Sequence, residues 1–431
     1  MSAHACRRAS GGRTLTRVQP SMQSSVQAPT EFRYFERLDR TWVSIIRKLS
    51  SALFGFDPAP PDEVARTFAS MYFDADPLAE AFVDEVYLGR GVREGRAMLE
   101  DALARGAHAI EGAPASLVRL FEDIEHDPPW LDWERVEHGA RVFRRWGTSV
   151  FRFAGAITLA AYGESSVAKP LALTGAYAGA TAKHRFLETA AFWIAVSEPG
   201  GLARGAPGRA SALRVRMMHV FVRRRLMAHP EWRLEDWGVP ISQADALLTL
   251  MGGSVAPGIG LSALGYRTSR QDIEAAMCFW RYVGHLMGVR PRWYPASVRE
   301  ALQLAFITFL KASDGAGEDG VRLCQSYARA FEPGPGAGVR DVLSHRVHVA
   351  MTQYFLPRPI RRKNRLPGAG LFALGPLALF PFVFTAETLR RHIPALEDVA
   401  DRVARAERRR WLAHHLGERR AEYNPVEKLT R

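Results

Sequence analysis

The 431-residue chain is 47% apolar and 24% charged, a globular balance with length enough for a large core in one or two domains. Its formal net charge of +13 rests almost wholly on arginine, because lysine occurs only at Lys48, Lys169, Lys183, Lys311, Lys363 and Lys428. That favours contact with anionic groups, membrane head groups among them, but no helix-turn-helix or RNA-binding signature accompanies it, so no nucleic-acid partner is expected. Cys6, Cys278 and Cys324 form no CxxC pair, which argues against a zinc ribbon or a disulfide framework and for a reducing cytoplasm. Arg7–Arg8 is followed by no apolar run, so neither a secretory nor a twin-arginine signal is expected, and residues 1–30 read as a disordered tail.

Along the chain the apolar spacing is helical, and strand-like alternation bounded by turn residues is hard to find. The expected fold is therefore mainly α. Asp62, after Pro60–Pro61, leads into EVARTFASMYF, and Asp76 before Pro77 opens LAEAFVDEVYLG, with proline in a favoured first-turn position. Asp132, after Pro128–Pro129, opens WERVEHGARVFRRWG. Ser149–Gly163 is strongly apolar around Arg152, too short to span a bilayer, and reads as a buried core helix. A helix from about Tyr177 to Ser197 comes next, then a Gly/Pro loop over Pro199–Gly208, then a helix over about Ser211–Ala228. Gly252–Gly260 reads as a second glycine-rich break, followed by the helix DIEAAMCFWRYVGHLMGV. Glu332–Asp341 reads as a linker. The division expected is a tail over 1–30, a main domain over 31–331 and a C-terminal helical region over 332–431; no internal repeat is found.

Leu366–Thr385 carries no charge and follows the basic run Arg358, Arg361, Arg362, Lys363 and Arg365. Length permits a membrane span, but Pro367, Pro376, Pro381 and three glycines argue against a regular one. Two readings stay open: a buried or surface-docking apolar segment, and peripheral insertion into an anionic membrane.

The strongest single feature is the helix around His219. Ala212, Val215, His219, Val222 and Leu226 recur at spacings of 3, 4, 3 and 4, so an imidazole projects from an apolar stripe. Such a group must hydrogen-bond or bind a metal, and a satisfied core histidine is the plainer alternative. The preceding helix places Arg185 and Thr189 four apart on one face, with Glu188 beside them. His285 sits in an apolar helix as a core or supporting group, and His184 is expected on another face than Arg185.

The run TG-x-Y-x-x-x-T-x-x-x-R-x-x-x-T (Thr174–Thr189), then GGL (Gly200–Leu202), RVRMMHVFVRR (Arg214–Arg224) and FWRYVGHLMGV (Phe279–Val289), resembles the rubber-oxygenase and MpaB family in order and spacing. The resemblance covers roughly residues 120–300. It implies a globin-like helical core with additional N- and C-terminal helices, non-covalent haem b, and His219 as the iron ligand within an R-x-x-x-x-H-x-x-x-R pattern. Arg216 and Arg223, one turn either side, are candidates to meet the haem propionates. Arg185 and Thr189 match the family's distal arginine and threonine, and Glu188 is a candidate acid or base if burial raises its pKa. The activity implied is oxidative cleavage of isoprenoid carbon–carbon double bonds, with dioxygen and a hydrophobic molecule as the partners.

The chain also departs from the rubber-cleaving pattern. There a lysine precedes the threonine, and here that position is Glu188. An upstream glutamate falls without gaps on Lys169, and with a short gap on Glu164. These departures favour a smaller lipid or terpenoid over polyisoprene. Two rival readings are a haem-binding sensor or carrier without turnover, and a basic helical membrane-associated protein without cofactor.

Overall fold

The structure is a computed structural model that describes residues 27–175, 181–417, 421 and 423. Among the described residues every regular element is helical and none is a strand, as the periodicity predicts. Of the expected tail, residues 1–26 lie outside the described residues. Residues 27–30 are tied down, with the Thr30 amide donating to the Glu235 carbonyl at 3.0 Å.

Two of the three helix starts read from the sequence carry a side-chain cap; at the third, the helix begins at Asp62 behind Pro61 with no side-chain cap. Asp76 accepts from the Ala79 amide at 3.3 Å and opens α1 (Pro77–Phe82), which runs on as a π-helical turn over Val83–Leu88. Asp132 accepts from the Arg135 amide at 3.0 Å and opens α2 (Trp133–Arg145). The apolar α3 (Ser149–Ala161) is a core helix, followed by α4 (Ser165–Thr174). Next come α5 (Thr181–Ser197) and α6 (Pro207–Met227). The Tyr177 start expected for α5 lies outside the described residues. Helix α6 begins four residues earlier than expected, because Pro207 takes the first helical position, where its missing N–H costs nothing.

Gly252–Gly260 is not the break that its glycines suggest. It holds the end of α7 (Gln243–Gly253) and all of α8 (Val255–Gly260), separated only at Ser254. The glycines serve packing: a Cβ on Gly253 would come within 2.6 Å of the Trp280 ring, and one on Gly258 within 2.7 Å of Ile273. Helix α9 (Arg270–Leu286) begins with a full capping box, Ser269 and Asp272 each satisfying the other's backbone amide.

The core is organised by α2 crossing α9, the most extensive helix–helix contact among the described residues. Gly139 permits it, since a Cβ there would lie 2.0 Å from the Ala275 carbonyl oxygen. Around this crossing Phe143, Trp193 and Trp280 meet edge to face at centroid distances of 5.2–5.7 Å, joining α2, α5 and α9. Each such pair contributes about 0.5–1.5 kcal/mol beyond burial. The aromatic cluster thereby anchors α5, and Trp193 continues from it into the cavity described below.

The C-terminal region is helical, as expected. Helix α10 (Val339–Phe355) packs on α3, and α11 (Gly375–His392) and α12 (Ala395–Leu416) follow, with α12 lying against α2 and α5. The uncharged stretch is more regular than its prolines suggest. Pro376 sits in the first turn of α11, and Pro381 is accommodated inside it. Most of this helix is exposed, so the buried reading of Leu366–Thr385 is set aside.

Candidate active site

Helices α3, α4, α5, α6 and the start of α7 enclose a cavity of about 420 Å³. That falls in the range of roughly 300–1,000 Å³ usual for small-molecule sites. Its wall is mainly apolar, with Phe151, Ala154, Phe186, Trp193, Val215 and Val222 among its residues. All six residues singled out from the sequence line it: Arg185, Glu188 and Thr189 from α5, and Arg216, His219 and Arg223 from α6.

His219 is flanked along α6 by Val215 and Val222, as the apolar stripe requires. Burial, and then the Arg223 charge, push its pKa down to about 4, so the ring is neutral at physiological pH. Among the described residues no side chain or backbone group hydrogen-bonds the ring. It is thus a neutral imidazole whose nitrogens look for a partner in an apolar cavity. His285, the other histidine of an apolar helix, is outside the cavity. It is buried, stacks on Tyr282 at 5.8 Å, and is pushed down to about 3 by burial and then by Arg290, Arg216 and Arg209.

On α5 the Arg185 Nη1 donates to Glu188 Oε2 at 2.8 Å, and the Thr189 hydroxyl donates to the Arg185 carbonyl at 3.1 Å. Glu188 is buried, and its Oε1 accepts from the Tyr423 amide at 3.3 Å. His184 is nearer to this group than its expected face implied, with Nε2 3.5 Å from Glu188 Oε1.

The two arginines of α6 are turned to protein acceptors. Arg216 is 1% exposed and donates from Nε and Nη2 to the two oxygens of Asp76 at 2.7 and 2.8 Å. Its Nη1 makes no hydrogen bond and lies 3.7 Å from Asp123. Arg223 donates to the carbonyls of Pro240 at 2.9 Å and Ile241 at 2.6 Å, and to Glu80 at 3.3 Å. Ile241 has φ of 55°, a left-handed conformation that costs a β-branched residue about 1–3 kcal/mol. Arg223 holds the carbonyl that this conformation presents.

That turn leads to a site residue the sequence reading missed. Ser242 caps α7, and Asp245 in its first turn lines the cavity. Asp245 Oδ2 accepts from the Ser242 hydroxyl at 2.9 Å, and Oδ1 from the Ser166 hydroxyl at 3.2 Å. Burial pushes its carboxyl up to about 6, against the pull of Lys311 and the two hydroxyls. Of the cavity's three carboxylates, Asp76 and Glu188 are each bonded by an arginine, whereas the bonds given to Asp245 come from hydroxyls. The sequence signal for it is Ser-x-x-Asp before an apolar run, which reads as a helix start and says nothing of a cavity. Lys169 and Glu164 are not among the cavity's lining residues. Lys169 pairs with Asp319 at 2.7 Å, and Glu164 accepts from Lys311 at 2.9 Å.

Fold and site together define a helical protein with an apolar small-molecule cavity entered by one neutral histidine. The chain belongs to the family described as "ER-bound oxygenase mpaB/B'/Rubber oxygenase, catalytic domain", whose model matches residues 140–391, more than half its length. A rubber oxygenase of Streptomyces sp. (strain K30) is 27% identical over 230 residues, 52% of this chain and 54% of that protein. The chain thus aligns with about half the length of this curated relative. The solved structure of latex clearing protein LCP in the closed state matches 83% of this chain and 94% of that one, with a TM-score of 0.58 at 19% identity. That likeness shows a shared helical fold.

Proposed function

We propose that this chain is a haem-b-dependent oxygenase that cleaves or oxygenates carbon–carbon double bonds of a hydrophobic, isoprenoid or lipid-like substrate. The observation that carries the reading is His219, a neutral imidazole without a hydrogen-bond partner among the described residues, in an apolar cavity shared with an arginine, a carboxylate and a hydroxyl. Membership of an oxygenase family supports it. These residues fit haem, because a neutral histidine in an apolar wall is the kind of group that would hold a porphyrin iron, and His219 would be that residue. When bound, haem supplies the activation of dioxygen.

The protein's own groups do the rest. The apolar wall receives the alkene and keeps water out. Arg185, steadied by Glu188 at 2.8 Å, presents a fixed cation that hydrogen-bonds negative charge developing on oxygen. Thr189, on the same cavity wall, keeps its hydroxyl directed along α5 toward the Arg185 carbonyl. Asp245 is the group best suited to hold or release a proton near neutrality. Cleavage of an alkene by one dioxygen balances without an external reductant: the double bond and the O–O bond break, and each carbon takes one oxygen as a carbonyl. Arg216 and Arg223 act as positioning residues for α6. Most of their donors are directed to Asp76, Glu80 and the Pro240–Ile241 turn, which leaves Arg216 Nη1 as the donor without a hydrogen bond.

The test is an absorption spectrum of the purified protein with and without dithionite, together with oxygen consumption on a panel of unsaturated isoprenoids. A Soret band is expected in the wild type and should be largely lost in His219→Ala. Haem binding without substrate-dependent oxygen uptake would assign the chain to the sensor or carrier class. A colourless wild type that also refuses added hemin overturns the cofactor.

A further inference from the structure

Helix α11 and the 3-10 turn before it, Gly370–Leu374, leave large apolar side chains uncovered. Leu371 and Phe382 are 87% and 74% exposed, and Leu374, Leu377, Leu379 and Leu389 are also exposed. Only a narrow stripe of the helix, including Pro376, Glu387 and Arg390, is buried against the body, and at Gly265 the backbone of Phe380 and Phe384 is in close contact. An apolar surface of this extent is not typical of a solvated monomer and marks a contact site.

The charges around it indicate what covers it. From Arg358 to Thr385 the chain has no acidic residue, while Arg358, Arg361, Arg362, Lys363 and Arg365 precede the apolar stretch and Arg391 and His392 close it. Lys363 and Arg365 face Asp314 at 2.6 Å and Glu318 at 3.7 Å. Arg358, Arg362 and Arg391 are exposed and have no acidic partner among the described residues. A second copy of the chain is a poor match. Both ends of the apolar helix are cationic, so two copies joined across it bring like charges together in either direction. A plane of anionic head groups meets both ends at once and receives the side chains between them.

We infer that α11, with the basic run that precedes it, docks the protein in the plane of an anionic membrane surface. Docking is peripheral. A span would carry the buried pair Glu387–Arg390, 3.2 Å apart, into hydrocarbon and strip the helix from its seat on Leu261–Leu264. The helix seats on the far end of the rod formed by α7 and α8, whose beginning lines the cavity, so docking leaves the cavity wall intact.

The experiment is vesicle flotation of the full chain, with phosphatidylcholine alone and with phosphatidylcholine plus phosphatidylglycerol. The protein should float with the anionic vesicles and lose that association as salt rises. Leu371→Asp/Phe382→Asp should weaken partitioning on the order of tenfold or more, and Arg358→Glu/Arg362→Glu should abolish the preference for anionic lipid. Circular dichroism of each variant should match the wild type, because the substituted side chains are exposed. Three outcomes overturn the inference: no flotation with anionic vesicles, undiminished flotation of both variants, or a dimer by light scattering that the apolar double variant dissolves while vesicles bind nothing. None of these measurements reads haem or turnover, so they stand apart from the proposed activity.

Discussion

Arg185 and Glu188 form an ion pair within one turn of α5, Nη1 to Oε2 at 2.8 Å, inside the cavity that also holds His219. Glu188 is nearly fully buried whereas Arg185 keeps partial exposure, so the carboxylate is the more fixed partner of the pair, and both line the cavity. On the proposed reading, truncating Arg185 removes a charge-stabilising donor without touching α6, the helix that would hold haem. Arg185→Ala should keep near-normal haem content and lose about 10²-fold in rate. Glu188→Gln should retain part of the positioning and lose less. Glu188→Lys places two cations side by side, and should suppress turnover and shift the Soret band if the lysine reaches the iron. If Arg185→Ala and Glu188→Lys both bind haem and consume oxygen as the wild type does, α5 is structure only.

Arg216 offers a contrasting case on α6. Both partners of its two-pronged bond with Asp76 are buried, and Asp76 also caps α1. Removing one partner leaves the other charge buried and unpaired, at a cost of about 3–5 kcal/mol. Arg216→Ala should therefore lower the denaturation midpoint of the haem-free protein strongly. Asp76→Ala/Arg216→Ala should be less destabilised than the sum of the single variants. A propionate role predicts the reverse pattern, with unchanged haem-free stability and weakened hemin binding. Urea titrations with hemin absent and present separate the two.

How far the sequence shows this site depends on the reach of each contact. His219 stands out because Val215 and Val222 lie on the same helix at helical spacing, and His219, Arg185 and Thr189 read as site residues because their local order and spacing resemble the family's motif, with Glu188 beside them. The partners of Arg216 and Arg223 are not. Asp76 and Glu80 stand 140 and 143 residues away, and no periodicity links them to α6. Asp245 is visible only as a helix start, since its cavity role depends on Ser166, 79 residues earlier. Gly252–Gly260 misleads because glycine serves loops and close helix packing alike, and only the neighbours Trp280 and Ile273 show which. The helical class is legible throughout, since it rests on local spacing.

Asp245 gives the pH dependence. Its carboxyl is pushed up to about 6 from an ordinary 3.8, by burial first and against the pull of Lys311, Ser242 and Ser166. A raised carboxyl pKa means that the folded state keeps its proton where the unfolded chain has released it. The sign follows: this group's contribution to stability is full below about 3.8, and it is lost as pH rises through about 6. Asp245→Asn stays neutral at every pH while keeping an oxygen for the serine hydroxyls. Its stability relative to the wild type should therefore improve between about pH 4 and pH 7, read as the shift in urea midpoint at each pH. The same residue bears on turnover. If Asp245 moves a proton during the reaction, oxygen consumption by the wild type should show an inflection near pH 6 that Asp245→Asn lacks, with haem content unchanged. Parallel stability curves for the two proteins would show that the carboxyl is not perturbed. A lost stability slope with an unmoved rate profile would leave Asp245 as a capping residue at the cavity wall.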